Sequence, residues 1–147
     1  VVLDTNVLLS ACLKPEGLEA QVVEMACSGK LQACVTAEIL AEYEDVLLRE
    51  KFRAFRERAE SVLARIQTAA LLVVAAETVT AASDEDDNRF LECAQAAGAE
   101  FLITGNLRHY PASWASTRIV NARAFTEAWR ELRASDAAEP RTGWVSP

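Results

Sequence analysis

The chain has 147 residues, 51% of them hydrophobic and 25% charged, which suits one globular domain and excludes wholesale disorder. Its formal net charge of −7 has the wrong sign for a protein that grips a polyanion by bulk charge alone. The longest apolar run, residues 69–76, falls short of the roughly 18 residues a membrane-spanning helix needs. The opening VVLDTN lacks the basic start of a secretory leader, so the sequence reads as soluble and cytoplasmic.

In chain order, short β-leaning runs at residues 1–4, 32–36, 71–75, 101–104 and 118–121 alternate with helical patterns. Ile39, Leu40, Tyr43, Val46 and Leu47 give a helix over 37–48; Phe125, Ala128, Trp129 and Leu132 give another near the end. Between the second and third strands, residues 48–68 insert a mostly helical stretch carrying Arg49, Lys51, Arg53, Arg56, Arg58 and Arg65. Gly29 and Gly98 stand where helices end. Apolar strands separated by helices predict a three-layer α/β/α domain over residues 1–133, with a central, mostly parallel five-stranded sheet. From residue 134 the sequence ASDAAEPRTGWVSP loses periodicity and reads as a flexible tail, 134–147, either frayed or docked only by Trp144.

Ligands of an open parallel sheet bind beyond the carboxyl ends of its strands. Asp4 follows the first strand, Glu38 and Glu42 lie on the helix after the second, and Asp84, Glu85, Asp86 and Asp87 open the helix after the third. Thr104 and Asn106 follow the fourth. Each has a plain alternative. Asp4 and Asp84 can cap helices, Glu42 can pair with Arg49 or Lys51 on a solvated face, and Asn106 can be a turn residue. Taken together, acids gathered at one sheet edge repel unless a cation sits among them. Four cysteines without a CxxC pair read as buried free thiols, and a single histidine argues against a His-rich zinc site. An oxygen-rich site points instead to Mg2+ or Mn2+, ions that stabilise charge on a phosphoryl oxygen and lower the pKa of a bound water. No glycine-rich phosphate loop or serine-hydrolase elbow competes with this reading.

The segments VVLDTNVLLSACL, AEILAEYEDVL and DEDDNRFLECAQAAGAEFLITGNLRHYP, in that order, resemble the PIN domain, specifically the VapC-like toxins of bacterial toxin–antitoxin pairs. The resemblance implies a Mg2+- or Mn2+-dependent endoribonuclease that cuts single-stranded RNA to 5′-phosphate and 3′-hydroxyl ends. It assigns Asp4, Glu42 and Asp87 as the catalytic acids, with Asp4, Asp87, Asp86 and Asn106 around the metal. Asn106 stands where many members have aspartate, which favours one metal over two. Thr5, Asn6 and Thr104 take supporting roles, and Arg49, Lys51, Arg53, Arg108 and His109 are candidates for RNA contacts. The basic run 49–58 also reads as a solvated face laced with Glu50 and Glu57. The resemblance further implies a homodimer and a cognate antitoxin. Two rival readings remain: a non-catalytic RNA- or protein-binding module with a weakened metal site, and a phosphatase with Asp4 as nucleophile. The second wants an aspartate where this chain has Asn6.

Overall fold

The computed structural model describes residues 1–138. Its elements run β1 (Val2–Leu3), α1 (Thr5–Leu13), α2 (Leu18–Cys27), β2 (Cys34–Val35), α3 (Ala37–Leu47), α4 (Arg56–Ala69), β3 (Leu71–Leu72), α5 (Asn88–Ala97), β4 (Phe101–Ile103), β5 (Ser113–Trp114), β6 (Thr117–Val120) and α6 (Ala122–Ala138). Short 3-10 turns lie at Glu50–Phe55, Glu85–Asp87 and Leu107–His109.

Consecutive residues of β1 and β4, Val2–Leu3 and Phe101–Ile103, are all buried, so both faces of the sheet are covered, as a three-layer α/β/α domain requires. Helix α5 packs across β1, β2 and β4, and α6 on β4 and β6. Phe125 meets Phe101 edge-on at 5.3 Å and stacks on Trp129 at 6.1 Å, docking α6 through its periodic apolar face. Gly98 ends α5 in the left-handed region (φ 60°), where its lack of a Cβ removes the steric cost.

The main sheet has four strands, not five, in the order β1-β4-β6-β5; β2 and β3 form a separate parallel pair. The division falls between β1 and β2, each only two residues long, where the Cys34 N–H meets the Val1 carbonyl at 2.8 Å without a continuing ladder. The extra strand, β5, is the antiparallel arm of a hairpin with β6, closed by the two residues Ala115 and Ser116. Ala115 takes φ 50° there, without the Asn-Gly or Asp-Gly pair that marks such a turn in sequence. Residues 134–138, expected to belong to a flexible tail, are instead the helical end of α6. Trp144 lies outside the described residues. All four cysteines are free thiols; Cys12, Cys34 and Cys93 are buried and Cys27 half-buried.

Parallel pairing of Leu3 with Ile103 places the next residues, Asp4 and Thr104, side by side at the carboxyl ends of β1 and β4.

Candidate active site

Asp4 occupies the position before α1, with extended backbone, yet its side chain does not cap that helix. Its Oδ2 instead accepts from the Thr104 hydroxyl and the Tyr110 hydroxyl, both at 2.9 Å. The carboxyl group is buried, and burial raises its pKa above the ordinary value; the two hydroxyls and the backbone N–H groups of Asn6 and Thr5 pull the other way. Thr104 is the hub of this corner: its oxygen also accepts from the Asn106 N–H at 3.0 Å and from the Asn6 amide at 3.5 Å. Asn6 in turn accepts from the Gly105 N–H at 2.8 Å, and a Cβ on Gly105 would stand only 3.3 Å from that Asn6 oxygen. Asp4, Asn6 and the TGN turn thereby hold one another in place.

Glu42 comes from α3, whose start Thr36 caps by accepting from the Ile39 N–H at 3.2 Å. Its neighbour Tyr43 is buried and donates its hydroxyl to the Leu3 carbonyl, which fixes α3 against β1. Glu42 then meets the Thr5 hydroxyl, and the Arg89 guanidinium lies 3.5 Å from its other oxygen. Burial lifts the Glu42 pKa, Thr5 and Arg89 lower it, and the charges of Asp4 and Asp86 lift it again.

Asp87 ends the 3-10 turn before α5 and is half-buried. Its Oδ2 lies 2.9 Å from the His109 Nδ1, and its pKa is pushed up to about 6, first by burial and then by the Asp4 charge, against the pull of His109. The Ser83 N–H and hydroxyl both donate to the His109 carbonyl, at 2.9 and 3.3 Å, joining the two loops. Asp84 does cap, accepting from the Asp86 N–H at 3.0 Å, and it also reaches the Asp87–His109 pair. One ligand atom each from Asp84, Asp87 and His109 lies within 4.8 Å of the others.

Asp4, Thr5, Asn6, Glu42, Asp87, Thr104 and His109 are therefore linked through these contacts and mutual charge effects. Asp86 is exposed and turned to Arg89, with its Oδ1 at 3.4 Å from the guanidinium. Asn106 is exposed and joins through its backbone N–H. Of the basic candidates, Arg49 lines the groove beside Glu42 but pairs with Asp45 at 3.1 Å, Arg53 pairs with Glu50 at 3.1 Å, and Lys51 lies over the Phe52 ring. Arg108 is exposed on the turn beyond Asn106. Two residues escaped the sequence reading. Tyr110 sits in an RHYP stretch that reads as turn, and Arg89 looks like an ordinary charged residue on an amphipathic helix. The one available signal was the spacing of Asp86 and Arg89, three residues apart.

The donor set suits a hard divalent cation. It is almost entirely carboxylate oxygen, and the acids raise one another's pKa values, so a positive ion among them relieves repulsion. His109 adds one nitrogen donor, which Mn2+ tolerates better than Mg2+.

A family model described as PIN domain matches residues 1–108. The chain belongs to the PIN-domain family, a family of nuclease-type domains that typically bind divalent metals. It is similar to an uncharacterized protein, MJ1680, of Methanocaldococcus jannaschii, with 28% identity over 109 residues, covering 72% of this chain and 70% of that one. Its fold also matches a chain in the crystal structure of VapBC2 from Rickettsia felis bound to a DNA fragment from their promoter. That match has a TM-score of 0.53 at 16% identity and covers 82% of this chain and 96% of the other. No helix among the described residues is long and apolar enough to cross a membrane.

Proposed function

We propose that the chain is a Mg2+- or Mn2+-dependent endoribonuclease that hydrolyses phosphodiester bonds of single-stranded RNA, and that it is the toxin of a toxin–antitoxin pair. The observation that carries this reading is the set of Asp4, Glu42 and Asp87, three carboxyl groups from distant segments with raised pKa values. Such an arrangement is costly for an empty protein and useful for one that binds cations. Asp4, Glu42 and Asp87 would hold the ion, with Asp86, Asn106 and His109 at its margins. When bound, the ion stabilises negative charge on a phosphoryl oxygen and lowers the pKa of water. The chain's own residues supply positioning. Thr104 and Tyr110 fix the plane of the Asp4 carboxylate, and Thr5 fixes Glu42. The Asp87–His109 hydrogen bond, 2.9 Å between Oδ2 and Nδ1, orients the Asp87 carboxyl group at the edge of the pocket.

A homodimer and an antitoxin that presents an arginine or lysine to the acidic pocket belong to the same reading. The fold likeness to a VapBC2 chain supports the antitoxin. The test is cleavage of a short fluorescent single-stranded RNA with Mn2+. Asp4→Ala, Glu42→Ala and Asp87→Ala are each expected to lower the rate by a factor on the order of a hundred or more, without loss of circular dichroism signal. Glu38→Ala, one helical turn from Glu42, serves as the control and keeps the wild-type rate. Full activity in all three site variants would hand the protein to the binding-module reading.

A further inference from the structure

Arg89 stands in the wall of the acidic groove and touches two of its acids. Its Nε donates to the Asp86 backbone carbonyl at 2.9 Å, which tethers the guanidinium to the turn before α5. One terminal nitrogen reaches the Asp86 carboxylate at 3.4 Å; the other lies 3.5 Å from Glu42, an ion pair too long for a strong hydrogen bond. The contact with Glu42 is largely shielded from water, with 28% of the Arg89 side chain and 19% of the Glu42 side chain exposed. Arg49 lines the same groove but is occupied with Asp45 at 3.1 Å. The firm tether is therefore on Asp86 and the loose contact on Glu42.

We propose, resting on the metal-nuclease reading above, that Arg89 is a positioning residue of the acidic pocket: it is the counter-ion of Glu42 in the cation-free protein, and a divalent cation must displace it from Glu42 to bind. The tether lets the guanidinium give up Glu42 without leaving the groove. Arg89 then sets how much cation the site requires, because each bound ion replaces an existing attraction and also meets a neighbouring positive charge.

Calorimetric titration of the full chain with MnCl2 reads this directly. Arg89→Gln is expected to bind Mn2+ on the order of tenfold more tightly than the wild type, since a positive charge a few ångströms from the site is gone. Arg89→Lys should stay close to wild type. A residue that merely supported the start of α5 would move the melting temperature and leave Mn2+ affinity unchanged. Should Arg89→Gln fold poorly, the wild type carries the test alone: in 15N-labelled protein the Arg89 guanidinium resonances should shift on addition of Mg2+. Equal or weaker Mn2+ binding by a folded Arg89→Gln variant, or unmoved Arg89 resonances in Mg2+-bound wild type, overturns the proposal. Neither result touches the nuclease reading, which is scored by RNA cleavage in the same preparations. Absence of Mn2+ binding in every variant and in the wild type overturns both.

Discussion

Along the stretch from Asp45 to Glu60, Arg49 meets Asp45, Arg53 meets Glu50 and Arg56 meets Glu60, each pair three or four residues apart at 3.1 Å and open to water. At the ends of β1 and β4 the same residue types behave differently. Asp4, Glu42 and Asp87 come from three distant segments, are buried or half-buried, and have raised pKa values. In the first region these three pairs each close within one helical turn and stay solvated, so each is worth little. In the second, the fold brings acids together faster than it supplies cations. Charge density in the sequence is high in both; burial and sequence separation tell the two apart.

That contrast can be broken in three places. The largest effect is expected from metal: a cation at a hundred times its Kd adds about 2.7 kcal/mol to a protein that binds it only when folded. Millimolar MnCl2 should accordingly raise the melting temperature by about 5–10 °C, and Asp4→Asn should remove most of that rise. A metal-insensitive wild type would put the acidic cluster on the same footing as the helix surface.

The second effect is a pH dependence. Asp87 has a pKa of about 6 in the folded chain, above its ordinary value of 3.8, so the folded state binds its proton more tightly than the unfolded state does. Without metal, the stability from this group is fully present below about pH 4 and is lost as the pH rises through about 6. Asp87→Asn should flatten that fall by about 1 kcal/mol, a figure reduced for partial exposure. Urea denaturation of both proteins at pH 4.5 and 7.5 in chelator, buffers chosen to bracket the transition, measures it. The smallest effect belongs to the exposed face: Arg53→Ala should change stability by less than about 0.5 kcal/mol.

How much of this could be read from residues alone follows from the same contrast. Residues alone drew attention to Asp4 after the first strand, to Glu38 and Glu42 on the next helix and to the run Asp84–Asp87; singling out Glu42 and Asp87 to go with Asp4 rested on the resemblance to the PIN domain. Their gathering at one sheet edge followed from the parallel βα order. Arg89 and Tyr110 did not announce themselves, because what makes them matter is a partner 47 or 106 residues away. The sheet was overcounted by joining β2 and β3 to it and undercounted at β5. Periodicity detects extended segments and is silent on which of them share a ladder. Helix α6 outran its apolar stripe because ASDAA is compatible with helix once the preceding turns are formed.

The hydroxyls that clamp Asp4 reach it from residues 100 and 106 positions further along the chain. Contacts of that separation close late, after the loop between them has collapsed. During synthesis, a nascent chain released only as far as residue 103 would already carry Asp4, Glu42, Asp87 and all of β4, yet Asp4 would lack Thr104 and Tyr110, its clamp. The pocket thus needs the chain at least as far as Tyr110: a fragment stopped at residue 103 by a stalled ribosome carries the acids without the two hydroxyls that hold Asp4.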